Sequence, residues 1–298
     1  MGPQVEPKIA VIVVAYQSDT DVARCVASLK TARELTPGLE LWLIDNSLDL
    51  DVRKRVKGHL TEKWMHYQYF GENVGFAEGN NLGFKAALEG QPDFFFMLNA
   101  DAAVAPDCLA NLLTDAAQHP AAAYGPLMTY ADGTVYYAGG YINYWLAATF
   151  HPGRQLPPRP QTARPVSFIN GCGLLLPRAS YERWGGLPAD FFMYYEEAAW
   201  CARVQADGGL LLYVPEARLI HYTPKTTNKS VTALYYLTRN QWLFARQYTR
   251  WYHKITAYPA ITVFQLLRYW KFIGKRQHRQ AIVQAWRDAF NHRYGQMV

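Results

Sequence analysis

The sequence predicts an α/β fold, in which helices flank a mostly parallel central sheet and a helical tail follows at the C-terminus. The run Ile9–Ala15 is continuously apolar and rich in β-branched residues, which is typical of a strand covered on both faces. An apolar helical stripe follows within Asp19–Leu29, and Leu41–Ile44 is a second apolar strand. This order forms a βαβ unit, whose crossover is expected to be right-handed.

The alternation of strands and helices continues along the chain as far as His221. Further strands are expected at Met65–Phe70, Phe94–Leu98, Phe168–Pro177, Leu210–Val214 and Leu219–His221. Further helices are expected at Gly79–Leu88, Pro106–His119 and Glu196–Asp207. Turn sequences between residues 124 and 150 predict short strands and hairpins, and the proline-rich stretch 151–165 predicts a loop.

Composition limits the classes of function that fit this chain. Its 298 residues are 50% hydrophobic and 15% aromatic, which excludes a disordered or coiled-coil protein. The net charge of +6 favours an anionic partner, and most of the excess lies between Arg239 and Arg293, where Asp288 is the only acid. Four widely spaced cysteines indicate a reducing, cytoplasmic location, and no run reaches the roughly 20 apolar residues of a spanning helix.

Polar side chains follow several predicted strands at the points where those strands end. Asp45-Asn46-Ser47 follows the second strand, and Asn99-Ala100-Asp101 follows the apolar run that ends at Leu98. Because ligands of open α/β sheets bind beyond the carboxyl ends of the strands, we expect these groups, with Tyr16 and the loop 73–79, to meet in one crevice. An ionised Asp101 there requires a cation or hydrogen-bond donors, which indicates a metal and phosphate site. The alternative is an acid in a loop that caps the following helix.

The segment 73–83 is rich in glycine and asparagine. Glycines let backbone amides approach a ligand, and the helix that starts after them offers unpaired N–H groups to phosphate. The segment lacks both the Walker pattern and the GxGxxG pattern. A structural connector is therefore the alternative interpretation.

Two adjacent acids, Glu196 and Glu197, follow an aromatic run at the start of a predicted helix. The positive end of the helix favours them, so they are either helix-terminal acids or a pair that contains a catalytic base. Adjacent helical residues point about 100° apart, so only one should face the reaction.

Other candidate ligands lie further along the chain. His221 ends a predicted strand and is either a structural histidine or a ligand of metal or phosphate. Lys225, Lys229 and Arg239 form either a flexible basic lid over a pyrophosphate or an ordinary solvated surface.

Taken in order, these segments resemble family 2 glycosyltransferases of the GT-A fold, particularly the rhamnosyltransferase branch of bacterial polysaccharide assembly. The resemblance spans Ile9 to Arg246. It rests on Ala15-Tyr16-Gln17, Asp45-Asn46-Ser47, the 73–83 segment, Leu98-Asn99-Ala100-Asp101, Asn170-Gly171-Cys172-Gly173, Phe192–Glu197, Cys201-Ala202-Arg203, His221, Tyr235-Tyr236 and Arg239-Asn240. It implies a Rossmann-like GT-A catalytic domain over residues 1–230 and a basic, aromatic helical extension over residues 231–298.

The resemblance implies inverting transfer of a sugar, such as L-rhamnose or another hexose, from a dTDP- or UDP-sugar to a saccharide or lipid-linked acceptor in cell-surface polysaccharide biosynthesis. The implied cofactor is a divalent metal, Mg²⁺ or Mn²⁺, held by Asp101 with help from His221. The implied base is Glu197, with Glu196 beside it. Donor contacts would come from Ala15, Tyr16, Asp45, Asn73, Gly75, Phe76, Gly79, Asn80, Asn99, Lys225 and Arg239. Acceptor contacts would come from Gly171, Cys172, Tyr194 and Tyr195.

The chain departs from the family pattern at several site positions. Gln17 replaces a common Asn, Glu197 replaces Asp, and Ala199 stands where an acid is frequent. Asn99 replaces the first acid of the DXD motif, so Asp101 is the only carboxylate of that motif. The loss of acids at Ala198 and Ala199 leaves open a catalytically weak subunit that binds sugar nucleotides or polysaccharide.

The tail over residues 231–298 also has two interpretations. Its alternation of aromatic and basic residues suits a helix at an anionic membrane surface, which would place the protein peripherally on the inner face of the plasma membrane. The alternative is a set of helices that packs on the catalytic domain or on a second copy in a homodimer. A nucleic-acid-binding protein is disfavoured, because acids at the predicted site interrupt any continuous basic groove.

Overall fold

A computed structural model describes residues 6–151, 162–223 and 230–297 of the chain. Its strands are β1 (Ile9–Ala15), β2 (Leu39–Asp45), β3 (Met65–Tyr69), β4 (Phe94–Asn99), β5 (Ala102–Val104), β6 (Ala123–Tyr130), β7 (Val135–Tyr137), β8 (Tyr141–Asn143), β9 (Ala148–Phe150), β10 (Arg164–Pro165), β11 (Gly173–Pro177) and β12 (Leu211–His221). Its α-helices are α1 (Asp19–Leu35), α2 (Leu50–Gly58), α3 (Gly75–Ala87), α4 (Cys108–Gln118), α5 (Arg178–Trp184), α6 (Glu196–Ala206), α7 (Val231–Tyr248), α8 (Trp251–Lys271) and α9 (Arg276–Phe290).

The central sheet has the strand order β10-β12-β6-β11-β4-β1-β2-β3, with β5 and β7 attached to β12 and β6. Strands β3, β2, β1 and β4 are mutually parallel, β11 runs antiparallel to β4, and β12 runs parallel to β6. Because helices connect the parallel strands, both faces of this half are covered. The predicted α/β fold with a mostly parallel sheet and flanking helices is confirmed.

The register of the parallel strands sets the position of the site. Ala15 pairs with Asp45 and Val14 pairs with Asn99, so β1, β2 and β4 end at one edge of the sheet. Tyr69, at the end of β3, pairs with Asp45 at the same edge. The expected convergence of strand ends is therefore confirmed by the pairing.

Close packing of α3 on the sheet explains the small residues of that helix. A Cβ built on Gly83 would lie 2.3 Å from the side chain of Ile12, and one on Gly79 would lie 2.9 Å from Val14. Both distances are too short for non-bonded atoms, so glycine permits the contact between helix and strand.

Several elements differ from the sequence prediction. Helix α3 begins at Gly75 rather than at Gly79, and α2 and α5 are short helices that the apolar pattern did not indicate. The expected strands 210–214 and 219–221 are one strand, β12, whose register shifts between Val214 and Arg218. Only the ends of the predicted loop 151–165 lie among the described residues, and Arg164–Pro165 forms β10 there.

Helices occupy most of the described part of the tail, and α7 packs on the catalytic core. Trp242, Leu243 and Phe244 of α7 belong to the same buried cluster as the sheet strands. Within the three described ranges, none of the helices combines the length and apolar character needed to cross a membrane.

Candidate active site

The centre of the candidate site is a contact between two residues that are 120 positions apart in the chain. His221 Nε2 lies 3.0 Å from Asp101 Oδ1. The antiparallel pairing of β5 with β12 places His221 opposite Ala102, beside Asp101, and the backbone N–H of Tyr222 donates to the Asp101 carbonyl at 2.8 Å. The imidazole is buried, whereas the Asp101 side chain keeps 32% exposure. The two predicted metal ligands are thus brought together, with the carboxylate open to a ligand.

Asn99, at the end of β4, lies between this pair and β11. Its backbone N–H donates to the Cys172 carbonyl at 3.1 Å, and its side-chain Oδ1 is buried without a partner among the described residues. Burial raises the pKa of the Cys172 thiol well above its usual range, and the nearby Asp101 charge adds to this effect. Cys172 therefore stays a neutral thiol, which suits a wall of the site better than a nucleophile.

These residues border a cavity of about 870 Å³, a size typical of pockets for small-molecule ligands. Of the predicted site residues, it brings together Phe76, Asn99, Asp101, Gly171, Cys172, Tyr194, Tyr195, Glu196, Glu197 and His221. Ala15, Tyr16, Asp45, Asn73, Gly75, Gly79, Asn80 and Arg239 do not line it. Lys225 lies outside the described residues, as does Lys229 of the expected lid.

Glu196 and Glu197 form the first turn of α6 and border the cavity. Burial raises the pKa of Glu197 to about 7, although the backbone amides of Glu197 and Ala198 oppose that shift. Burial, followed by the negative charge of Glu197, raises the pKa of Glu196 well above its usual range. Each carboxyl has an Oε2 atom that is buried without a hydrogen-bond partner among the described residues. Because Glu196 is only 3% exposed, Glu197 is the better placed of the two to exchange a proton.

The segment before these acids has a strained backbone. Phe192, Tyr194 and Tyr195 have φ values of 63°, 68° and 76°, which non-glycine residues rarely adopt. Asn240 Nδ2 lies within 2.9 Å of the carbonyl oxygens of Phe191, Met193 and Tyr194. Asn240 thereby stabilises the strained backbone of this segment, which places the start of α6 and its two acids at the cavity.

The expected role of Arg239 is corrected by its contacts. Its guanidinium is fully buried and donates to the carbonyl oxygens of Asp190, Phe191 and Gly295. Such a side chain cannot form a flexible lid over the donor. Arg239 instead supports, together with Asn240, the strained segment that carries the acids.

The first amides of the 73–83 segment, which were expected to be free for phosphate, are hydrogen-bonded within the protein in this structure. The N–H of Gly75 donates to Asn73 Oδ1 at 3.0 Å, and the N–H groups of Phe76 and Ala77 donate to the Phe192 carbonyl. A Cβ on Gly75 would lie 2.6 Å from the Phe192 ring, and Asn80 Nδ2 donates to the Phe76 carbonyl at 2.9 Å. The segment therefore binds the strained loop, and only Phe76 of its predicted donor contacts reaches the cavity.

The β1 and β2 ends form a separate polar group at the same sheet edge. Asp45 is fully buried; its Oδ1 accepts from the Ser47 N–H at 2.8 Å and its Oδ2 accepts from the Tyr67 hydroxyl at 2.9 Å. The Ala15 carbonyl accepts from the Asn46 N–H, and the following Tyr16 is half exposed. Tyr16 is thus the accessible member of this group.

Several residues that line the cavity were not among the predicted site residues. Tyr136, in β7, lies edge-on to His221 with 4.6 Å between the ring centroids. Asn170 accepts from the Cys172 N–H at 2.9 Å, and Ser230, Ala233 and Leu237 reach the cavity from the start of the tail. The Asn170-Gly171-Cys172 motif was a usable signal for Asn170, whereas no local pattern marks Tyr136 or the residues of α7.

The donor set fits an oxygen-preferring divalent ion only in part. Across the described ranges, no three His, Cys, Asp or Glu side chains cluster so as to hold a metal by themselves. Asp101 Oδ1 and His221 Nε2, however, are 3.0 Å apart, and two ligand atoms bound at right angles to one ion at ~2.1 Å are separated by about that distance. Asn99 Oδ1 adds an unpartnered buried oxygen. The residues therefore fit an ion whose remaining ligands come from phosphate or water.

Comparison with known proteins gives a family match and named relatives. The family model described as Glycosyl transferase family 2 matches residues 10–185. The chain is 28% identical over 244 residues to N-acetylglucosaminyl-diphospho-decaprenol L-rhamnosyltransferase of Mycobacterium tuberculosis, an alignment that covers 74% of this chain and 78% of that protein. It is 23% identical over 238 residues to the low-salt glycan biosynthesis hexosyltransferase Agl10 of Haloferax volcanii, covering 79% of this chain and 74% of that one.

Solved structures share the fold at lower sequence identity. GalNAc-T7 with UDP, GalNAc and Mn²⁺ superposes with a TM-score of 0.62 at 17% identity, covering 79% of this chain and 48% of that chain. The mannosyltransferase PcManGT of Pyrobaculum calidifontis with GDP-Man and Mn²⁺ gives a TM-score of 0.58 at 15% identity, covering 99% and 78%. Both neighbours are GT-A glycosyltransferases, so the fold of this chain is GT-A.

Proposed function

Because this chain belongs to glycosyl transferase family 2, we propose that it is an inverting hexosyltransferase with Glu197 as its catalytic base. The observation that carries this proposal is the position of Glu197. It is a desolvated carboxyl with a pKa of about 7, and it borders the same cavity as Asp101 and His221. A base whose pKa lies near the working pH combines the correct protonation state with a useful affinity for protons.

The proposed reaction is a single displacement at the anomeric carbon of the donor sugar. An acceptor hydroxyl gives its proton to Glu197 while its oxygen forms the new bond, and the bond from the anomeric carbon to the diphosphate oxygen breaks. The nucleotide leaves with the electron pair of that bond. Since the attack and the departure occur on opposite faces, the configuration at the anomeric carbon inverts.

Asp101 and His221 are the residues that would hold the divalent metal, Mg²⁺ or Mn²⁺, with Asn99 beside them. A bound divalent ion offsets the negative charge that develops on the departing diphosphate. The Mn²⁺ in both structural neighbours supports this assignment. Asn99 cannot act as a second carboxylate, so the proposed affinity for metal depends strongly on the phosphates of the donor.

The proposed substrates follow from the named relatives. The Mycobacterium tuberculosis protein is named for transfer of L-rhamnose to a diphospho-decaprenol lipid that carries N-acetylglucosamine, and the Haloferax volcanii protein for glycan biosynthesis. We therefore propose a dTDP- or UDP-sugar as donor and a lipid-linked saccharide as acceptor, in cell-surface polysaccharide assembly at the inner face of the plasma membrane. The structural division proposed with this function is a catalytic domain to residue 230 and a helical extension after it.

The test of this proposal is the substitution Glu197→Gln, with transfer of a radiolabelled sugar as the measurement. Gln keeps the shape of the side chain but cannot accept a proton, so transfer should fall by roughly 10²–10⁴-fold, the usual contribution of a general base. Donor binding, measured by calorimetry with a nucleotide diphosphate and Mn²⁺, should stay within about fivefold of the wild type, a difference of about 1 kcal/mol, because the substitution removes a proton acceptor and not a contact with the nucleotide.

The exposed Glu89 supplies a matched control. Glu89→Gln makes the same chemical change at a residue that does not line the cavity, and it should leave transfer unchanged. Wild-type turnover in Glu197→Gln would eliminate Glu197 as the base and redirect attention to Glu196.

A further inference from the structure

The outer face of α8 carries an unusually large amount of exposed apolar surface. Six apolar residues, between 43% and 66% exposed, define what we call the α8 stripe. Five lie in α8 and one lies in the turn that follows it: Ile255, Val263, Leu266, Leu267, Trp270 and Ile273. At about 100° per helical residue, these six positions fall within roughly one third of the helix circumference, so they lie on one side of the helix. Every exposed residue from Trp251 to Trp270 is uncharged. A contiguous exposed apolar surface of this kind marks an interaction site on a folded protein.

The orientation of the stripe is fixed by contacts on the opposite side of α8. Gln265 is fully buried, and its Oε1 accepts from the indole N–H groups of Trp242 and Trp286 at 2.9 and 2.6 Å. Its Nε2 donates to the Thr238 carbonyl at 3.0 Å. These bonds connect α8 to α7 and α9. If α8 rotated to bury its apolar side, these buried hydrogen bonds would be lost. The stripe therefore faces outward in the folded protein.

Charge around the stripe selects the type of partner. Exposed basic side chains stand at its two ends, Arg250 before α8 and Lys271, Lys275 and Arg276 after it. From residue 231 onward the sequence has eleven Lys and Arg and a single acid, Asp288. Two copies joined through this face would bring two strongly positive tails together, and like charges in close apposition cost free energy. An anionic lipid surface meets both features, since it accepts apolar side chains and attracts basic ones.

A basic groove at one end of the stripe adds to this complementarity. Arg276, Arg279 and Arg287 line a cavity of about 860 Å³ between the end of α8 and α9. Neither Arg276 nor Arg287 forms an ion pair with any of the described residues. Unpaired guanidinium groups beside an apolar surface suit the phosphates of lipid headgroups.

The stripe lies on a helix that packs against α7, and residues of the α7 region border the active-site cavity. Ser230, Ala233 and Leu237 of the α7 region line the cavity, and α7 packs against α8. A protein docked through α8 would keep that cavity at a fixed position relative to the lipid surface. This arrangement suits the lipid-linked acceptor of the proposed function, on which this part of the inference rests.

We propose that α8 is an interfacial docking helix, which lies in the plane of an anionic membrane with the α8 stripe inserted among the acyl chains and the basic groups at its ends in contact with lipid phosphates. Trp251 and Trp270 stand near opposite ends of the helix, where indole rings prefer the boundary between headgroups and acyl chains. Binding depends on both apolar burial and charge, so it requires anionic lipid and weakens as salt is raised.

The test is co-sedimentation of the full chain with vesicles, without any sugar substrate. The wild type should bind vesicles that contain phosphatidylglycerol and should bind pure phosphatidylcholine vesicles weakly. Leu267→Glu, in the stripe, should lower the partition coefficient by at least about tenfold, because it exchanges an inserted apolar group for a charge. Leu35→Glu is the matched control, since Leu35 is 57% exposed on α1 against 61% for Leu267.

Further measurements keep the outcomes distinct. Thermal melts should show that Leu267→Glu and Leu35→Glu are as stably folded as the wild type. Replacing Lys271, Lys275 and Arg276 with Gln leaves the apolar face unchanged and should still reduce binding to anionic vesicles. Wild-type binding by Leu267→Glu, or absence of wild-type binding to phosphatidylglycerol vesicles, would overturn the proposal. So would sedimentation of the wild type as a dimer that Leu267→Glu converts to a monomer, because the stripe would then be covered by a second copy.

Failure of this inference is separable from failure of the proposed function. Vesicle binding is measured without transfer, and transfer to a detergent-solubilised acceptor is measured without a membrane. Loss of vesicle binding with normal transfer to the solubilised acceptor would refute the docking helix alone.

Discussion

The glycine-rich segment 73–83 and the Asn99–Asp101 segment both follow strands at the same edge of the sheet, but they use their polar groups differently. In the first segment, the N–H groups of Gly75 and Phe76 bond to Asn73 and to the Phe192 carbonyl. In the second, Asn99 Oδ1 has no partner among the described residues, and Asp101 contacts His221 while staying partly exposed. The segment with the denser motif is therefore not the one whose polar side chains line the candidate site. Buried polar atoms that lack a partner and border a cavity, as Asn99 Oδ1 does, are a more direct indication of a candidate ligand site.

The largest expected effect separates these two segments by activity. Asp101→Asn removes the only carboxylate of its motif while keeping the shape of the side chain, and transfer should fall by roughly 10²–10³-fold, as when one group that stabilises developing charge is lost. Asn73→Ala should instead lower the free energy of unfolding by about 1 kcal/mol, because it removes the Oδ1 that accepts the hydrogen bond from the Gly75 N–H.

Sugar transfer and chemical denaturation of the two variants check this contrast. Donor KM in Asn73→Ala is expected to stay close to that of the wild type. If Asn73→Ala raised the donor KM as strongly as Asp101→Asn, the glycine-rich segment would be a donor site after all, and the comparison would fail.

A smaller effect is expected where the strained loop is held. Asn240→Ala leaves the carbonyl oxygens of Phe191, Met193 and Tyr194 without their shared donor, which should cost about 2 kcal/mol of unfolding free energy. Transfer should also fall, by roughly tenfold, because α6 and its acids lose their position.

The control for this prediction is Asn111→Ala, which removes a single exposed bond to the Glu216 carbonyl. We expect it to cost less than about 1 kcal/mol, in line with one ordinary hydrogen bond, and to leave transfer unchanged. Equal effects on activity from the two variants would show that Asn240 has no special part in positioning the acids.

The sequence predicted the centre of the sheet because β1, β2 and β4 contain continuous apolar runs, which are typical of strands buried on both faces. A resemblance in motif order named Asp101, His221 and Glu197; the structure places all three at one cavity, and their roles stay proposals. Their mutual geometry could not be read in this way, because the contact between Asp101 and His221 depends on the pairing of β5 with β12, two strands far apart in the chain. The prediction for Arg239 failed for a related reason. Its guanidinium is buried against the segment near Phe191, which is distant in the chain, so the residues next to Arg239 give no sign of its burial.

The tail shows the same limit. The sequence showed alternating aromatic and basic residues after residue 231 and left membrane contact and internal packing as alternatives. The structure shows both buried and exposed residues in the tail, since Trp242 of α7 lies in the core while Leu267 of α8 is exposed, and contact of the exposed residues with a membrane stays a proposal. The binding-subunit alternative, raised by the loss of acids at Ala198 and Ala199, is not favoured, because the family match and the named relatives are glycosyltransferases.

The most direct test of the central claim, that Glu197 is the base, is the pH dependence of kcat/KM for sugar transfer. Glu197 must be ionised to accept the acceptor proton, and its pKa is raised to about 7 by burial. We therefore expect kcat/KM to fall tenfold per pH unit below that value and to level off above it, with this ionisation absent from the residual activity of Glu197→Gln. A wild-type profile that is flat through pH 7, or one that Glu197→Gln leaves unchanged in shape, would contradict the assignment.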